Sequence, residues 1–216
     1  MGLTDKMSKE ILFQGDSITD AGCSKDYSLA ANEGLGQGYP FLTMAALRLA
    51  EPEKDWQVYN RGISGNRVVD LYARWKKDAL NLKPDILSIL IGVNDTWHEY
   101  PGRNGVEVPR YAKFYRMLLE WTREACPDTK LVLLEPFVLP FGAVQPNWLP
   151  EMDERRAVVK ELAKEFNTIF IPLQSILNNA LKRAPQEYWL KDGVHPTTAG
   201  HALFSQAWIE ATQGIR

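Results

Sequence analysis

The sequence predicts an α/β fold built on a parallel sheet with helices on both faces. Three observations carry this. Five short apolar runs recur along the chain, segments with helical period separate them, and polar or glycine-rich clusters follow the runs. The runs cover residues 11–14, 56–60, 85–91, 130–134 and 168–172. Continuous aliphatic and β-branched runs of this length suit strands covered on both faces. Between them, Tyr111, Phe114, Tyr115, Leu118 and Leu119 share one helical face, as do Val158, Val159, Leu162, Ala163 and Phe166. The charges of the second helix, such as Glu151 with Arg155, are spaced for surface pairs. Strand and helix alternation of this kind implies right-handed crossovers between parallel strands.

Composition sets the outer limits. The 216 residues fit one domain spanning 1–216, with 45% apolar and 24% charged residues. Lys and Arg number 25 against 27 Asp and Glu, a net charge of −2. That balance offers no footprint for nucleic acid or an anionic membrane. The longest apolar stretch, residues 87–93, is too short to span a bilayer. The N-terminal residues MGLTDKMSKE lack an apolar signal region, so a cytoplasmic protein is expected. Cys23 and Cys126 fit no metal or redox spacing and read as reduced thiols.

Ligands in such folds bind beyond the carboxyl ends of the strands. Gly15-Asp16-Ser17-Ile18-Thr19-Asp20 follows the first run. Arg61-Gly62-Ile63-Ser64-Gly65-Asn66 follows the second, and Gly92-Val93-Asn94-Asp95 the third. Asp192-Gly193-Val194-His195-Pro196 follows the fifth, beyond a short helix. Each cluster alone has a plain reading as a turn, a glycine bend or a cap. Together they hold what acyl transfer needs: a nucleophile, a base and a residue that orients the base. Ser17, His195 and Asp192 can fill those roles. The backbone N–H groups of Ser17 and Gly65 and the carboxamide of Asn94 can donate to a developing oxyanion. Asp16 and Asp20 read as supporting residues of the Ser17 loop. No G-x-S-x-G elbow surrounds Ser17, so the α/β-hydrolase template does not apply.

These blocks resemble the SGNH (GDSL-type) hydrolase family, with its Ser, Gly, Asn and His at Ser17, Gly65, Asn94 and His195. The family pattern has Leu after the serine; here Ile18 stands there. The resemblance spans Gly15 to His195. It implies a flavodoxin-like three-layer α/β/α sandwich with a five-stranded parallel sheet. It also implies ester hydrolysis through an acyl-enzyme without metal or other cofactor. The strings GDSITD, ISGN, IGVNDTW and HPTTAGH are similar to the carbohydrate acetylesterase branch, notably intracellular acetylxylan esterases. The implied substrate is a small acetylated sugar or xylo-oligosaccharide. The alternatives are a lysophospholipase or thioesterase of the same family, or an inactive carbohydrate-binding protein. A homo-oligomer is compatible with the sequence.

Aromatic residues near the expected rim bear on substrate choice. Trp97 and Trp189 each lie three residues from an expected catalytic group and are assigned to the pocket. Phe137, Phe141 and Trp148 read instead as core, lid or interface packing. Segment 137–150, with Pro140, Pro146 and Pro150, is expected to form a stiff protruding loop. No tight metal-ligand motif includes His98 or His201.

Overall fold

The computed structural model describes residues 8–216. Five parallel strands form one sheet in the order β2-β1-β3-β4-β5. They are β1 (Glu10–Gly15), β2 (Gln57–Asn60), β3 (Ile86–Leu90), β4 (Lys130–Leu134) and β5 (Ile169–Ile171). The chain steps from β1 to β2 on one side and then to β3 on the other side of β1. This reversal opens a crevice at the carboxyl ends of β1 and β3, where side chains from separate loops can converge.

Alternation within the strands decides the two layers. Ile11 and Phe13 of β1, Ile86 and Leu90 of β3, and Val132 and Leu134 of β4 face one way. Against them pack α2 (Tyr39–Ala50), α8 (Leu173–Ala180) and α10 (Thr198–Ala211) through residues such as Leu47, Leu177 and Trp208. Leu12, Leu87, Ile89, Leu131 and Leu133 face the other way. They meet α3 (Val68–Asp78), α6 (Val108–Ala125) and the latter part of α7 (Trp148–Glu165). Leu71 and Trp75 of α3, Leu118 of α6 and Val159 of α7 fill that layer. The short helices α1 (Ser17–Asp20), α4 (Val93–Trp97), α5 (Glu99–Gly102) and α9 (Gln186–Trp189) lie in the connections. The result is a three-layer α/β/α sandwich around a five-stranded parallel sheet, as the resemblance implies.

Buried polar groups tie the layers together. Trp208 of α10 donates its indole N–H to Ser88 Oγ on the central strand β3 at 3.0 Å. Thr43 of α2 donates to Ser205 of α10 at 3.0 Å. Among the described residues, no helix is long and apolar enough to cross a membrane.

Segment 137–150 is exposed at its prolines but anchored to the core by its apolar residues. Phe137, Val138 and Leu139 are buried, and Phe137 packs edge-on against Phe204 at 4.8 Å. Trp148 is also buried and begins α7. The segment's apolar side chains anchor it by burial, while Pro140, Pro146 and Pro150 stay exposed.

Candidate active site

Four segments build the site around Ser17. The first is the β1–α1 turn. Asp16 is the N-cap of α1 and accepts the Ile18 N–H at 3.0 Å. Ser17 is therefore the first residue of that short helix, and its N–H is among those a helix leaves without an internal partner. A Cβ on Gly15 would lie 2.4 Å from the Leu90 carbonyl, so only glycine brings the turn this close to β3.

The second loop follows β2 and carries Gly65, whose φ of +81° suits glycine. Asp20 holds this loop by accepting both the N–H and the hydroxyl of Ser64, at 2.9 and 2.7 Å. Lys25 pairs with the other oxygen of Asp20 at 2.9 Å. Burial pushes the Asp20 carboxyl up, but the Lys25 and Ser64 bonds outweigh it and leave its pKa lowered.

The third contribution comes after β3. Asn94 lies in α4, nearly buried, and donates from Nδ2 to the Asn66 carbonyl at 3.1 Å. One of its two amide hydrogens is thus committed to the neighbouring loop, and the other is left for a ligand. Asp95, fully buried beside it, accepts the Val68 N–H at 3.0 Å and caps α3.

The fourth element is the loop before α10. Asp192 Oδ1 accepts the backbone N–H groups of Val194 and His195, at 3.0 and 2.8 Å. Its Oδ2 lies 2.7 Å from His195 Nδ1. An ionised carboxylate only accepts, so Nδ1 carries the hydrogen and Nε2 is left with a lone pair. His195 Nε2 lies 2.9 Å from Ser17 Oγ, placed to accept the hydroxyl proton. Burial raises the Asp192 pKa, but the His195 N–H, its imidazole and the Val194 N–H together leave it lowered.

Ser17, Asp192 and His195 are thus in a continuous hydrogen-bonded chain. Such a chain can generate an alkoxide-like nucleophile and return its proton to a leaving group. The cleft that Ser17 and His195 open into has a volume of about 460 Å³ and is lined also by Gln37, Lys191, Thr198 and His201.

Asp16 and Asp95 are fully buried, and burial is the main force pushing each up to about 7. The Asp95 charge adds to the upward shift at Asp16. The Ile18 N–H opposes the shift at Asp16, and the Arg155 charge opposes it at Asp95. Arg155, whose spacing to Glu151 predicts a surface charge, is completely buried. Its Nε donates to Thr96 at 2.8 Å, and its Nη2 donates to the Val106 carbonyl at 2.6 Å and to Glu151. Helical spacing could not show that its face turns toward α4.

Of the aromatics, Trp97 lies beside His195, with ring centroids 5.8 Å apart, and leans on Trp148 at 5.3 Å. Trp189, assigned to the same pocket, is elsewhere. Its indole is buried, donates to the Ala184 carbonyl at 3.2 Å and lines a separate cleft with Arg183, Tyr188 and Leu203. Three residues before Asp192 the chain is the short helix α9, whose last residue, Trp189, lines that cleft and not the one at Ser17. His98 sits by the second loop, its Cε1 3.9 Å from where a Cβ on Gly65 would stand.

Sequence reasoning missed what holds the Asp192 loop. Leu139 and Ala143 donate their N–H groups to the carbonyls of Gly193 and Asp192, at 2.8 and 2.9 Å. The only trace of this clamp in the sequence is a pair of glycines, Gly142 and Gly193, where the two backbones touch. Cys23 and Cys126 are free and buried.

Residues 13–203 match the GDSL-like lipase/acylhydrolase family. The chain is 35% identical over 205 residues to an acetylxylan esterase of Geobacillus stearothermophilus, covering 93% of this chain and 92% of that one. A structure from Parabacteroides merdae, assigned as a GDSL-like lipase, superposes with a TM-score of 0.91 at 45% identity, covering 96% of each chain. A variant of Axe2, the Geobacillus acetylxylan esterase, superposes with a TM-score of 0.86 at 34% identity, covering 95% of this chain and 94% of that one. Catalytic mutants of Axe2 replace a serine, an aspartate and a histidine by alanine. On both the match and the shared fold, the chain belongs to the GDSL-like lipase/acylhydrolase family and is a carboxylic ester hydrolase.

Proposed function

We propose that the protein removes acetyl groups from small sugars or xylo-oligosaccharides through an acyl-enzyme on Ser17. The observation that carries the chemistry is the chain from Ser17 through His195 to Asp192, at 2.9 and 2.7 Å. Ser17 Oγ attacks the ester carbonyl while His195 Nε2 takes its proton. Asp192 stabilises the imidazolium that forms. The carbonyl oxygen becomes an oxyanion, to which the N–H groups of Ser17 and Gly65 and the Asn94 amide donate. Collapse breaks the bond to the alcohol oxygen, and His195 returns the proton to it. Water then attacks acetyl-Ser17 with His195 again as base, releasing acetate and restoring the hydroxyl.

The substrate rests on two supports. The relatives named as acetylxylan esterases are similar over nearly the whole chain. The cleft at Ser17 is lined largely by polar side chains such as Gln37, Lys191 and Thr198, which suit a hydroxylated alcohol. A methylene gains about 0.8 kcal/mol only where it is buried against apolar surface, and the Trp97 and His195 rings standing together limit that room.

A series of p-nitrophenyl esters from acetate to octanoate, then peracetylated xylose and a long-chain lysophospholipid, tests this. Acetate should be the best ester and xylose acetates should be hydrolysed. Rising kcat/KM toward octanoate, or turnover of the phospholipid with the sugar spared, moves the protein to a lipid substrate. Ser17→Ala should lose at least about 10⁴-fold in kcat and escape labelling by an organophosphate.

A further inference from the structure

Helix α2 begins at Tyr39 after Gly38, which has no side chain to cap it. The cap comes from another element. His201, in the first turn of α10, accepts the Tyr39 N–H on Nδ1 at 3.2 Å. The ring edge carrying Nδ1 and Cε1 packs on Gly38, where an added Cβ would stand 3.4 and 3.2 Å away. With Nδ1 fixed as an acceptor, a neutral ring carries its hydrogen on Nε2. Protonating Nδ1 would break the cap. Burial, together with the nearby Lys191 and His195, lowers the pKa of His201 to about 4. His201 is therefore a neutral donor of fixed tautomer, and it lines the cleft at Ser17.

The side of the reaction it faces follows from the leaving group. The alcohol oxygen must come within reach of His195 Nε2 to be protonated. His195 borders the cleft that His201 lines, whereas Gly65, Asn94 and Trp97 are not among the described residues lining it. On the esterase reading the alcohol half of the ester thus enters the cleft that His201 and His195 share.

We propose that His201 binds substrate, donating from Nε2 to a hydroxyl on the alcohol half of the ester. The proposal rests on the esterase reading of Ser17 above. It assigns to this protein a preference for esters whose alcohol carries a further hydroxyl.

Two substitutions separate the cap from the donor. In His201→Asn, Oδ1 takes the place of Nδ1 and no atom reaches the Nε2 position. In His201→Gln, the amide nitrogen reaches the Nε2 position and the cap is given up. The reading is the kcat/KM ratio of glycerol monoacetate over ethyl acetate. The unaltered enzyme should favour the hydroxylated ester. His201→Asn should cut the ratio about tenfold, mostly through KM, the scale of one lost hydrogen bond. His201→Gln should keep most of the ratio even as its Tm falls. A purely structural role would lower both esters together and leave the ratio alone, which overturns the proposal. So does an equal loss of ratio in both variants, or no preference in the unaltered enzyme. The imidazole ¹⁵N resonance of Nε2 in the unaltered protein should also shift on titration with glycerol or xylose. No shift with either sugar alcohol or sugar overturns the proposal without any variant. If the enzyme prefers glycerol monoacetate but spares acetylated xylose, the sugar reading falls and His201 keeps its role. If it deacetylates xylose and His201→Asn keeps the ratio, the reverse holds.

Discussion

The two flanks of Ser17 are held in opposite ways. On one flank, Gly65 and Asn94 sit over buried carboxyls. Asp20 bonds the Ser64 N–H and hydroxyl, Asp95 bonds the Val68 N–H, and Asp16 and Arg155 are completely enclosed. On the other flank, the side chains of Asp192 and His195 remain about one-third exposed, at 34% and 33%. Their loop is clamped by backbone bonds from Leu139 and Ala143. The contrast fits the two tasks that the proposed mechanism assigns to these flanks. Donors to an oxyanion act through fixed position in a place that excludes water, where reorganisation is costly. A base that takes and returns a proton works beside solvent, with its partner carboxylate kept ionised. Accordingly the pKa of Asp192 is lowered and that of Asp95 is raised to about 7.

The largest effect should come from the buried flank. Asn94→Ala removes a donor and releases the Asn66 carbonyl it holds at 3.1 Å. With Asn94 as an oxyanion donor, kcat should fall by about 10²–10³ and KM should change little. Steady-state kinetics on p-nitrophenyl acetate measures both. A change confined to KM would mean that Asn94 holds the ester before reaction rather than during it, and the contrast between flanks would lose its catalytic meaning.

The exposed flank should be softer. Gly142 has φ of +63°, and a Cβ there would stand 2.6 Å from the Asp192 carbonyl oxygen. Gly142→Ala should push the clamp off the Asp192 loop and lower kcat by about ten- to a hundredfold, since small misplacements of a base are expensive. Gly102→Ala is the matched control, because nothing lies within 4 Å of its added methyl. If both variants behave alike, the loop of residues 137–147 does not position the base.

How much of this was legible depends on how local each feature is. The strands were, because a strand buried on both faces is written as an apolar run; 130–134 was located to the residue. The convergence of Ser17, Asp192 and His195 was also legible, because their segments follow a strand and a short helix and the fold brings such ends together. The direction of a side chain in a connection was not. Trp189 has the sequence spacing of a pocket residue and the contacts of a core residue. Arg155 has the spacing of a surface pair and is wholly buried. His201 caps a helix 162 residues away, and no local pattern records that bond. The clamp from segment 137–147 joins two loops through backbone atoms, which carry no side-chain signature beyond the glycines at the contact.

The smallest effect should come from Asp16, and its sign tests whether the buried flank carries neutral acid. Its Oδ1 accepts the Ile18 N–H, while Oδ2 is buried without a hydrogen-bond partner among the described residues. Burial raises its pKa from the ordinary 3.8 to about 7. A carboxyl raised in the folded state favours folding fully below about pH 3.8, where it is protonated in both states. That contribution is lost as pH rises through about 7, where the folded protein must either hold a buried charge or keep a proton the unfolded chain would release. Asp16→Asn keeps an oxygen for the Ile18 N–H and cannot ionise. Its Tm relative to the unaltered protein should therefore climb between pH 5 and pH 8, by a few degrees for a difference of about 1–2 kcal/mol. Activity should change by less than about threefold, because Ser17 keeps its capped turn. Thermal melts of both proteins across that pH range decide the matter. A Tm difference that stays flat would mean Asp16 is ionised throughout, and a difference that falls with pH would mean its charge supports the fold.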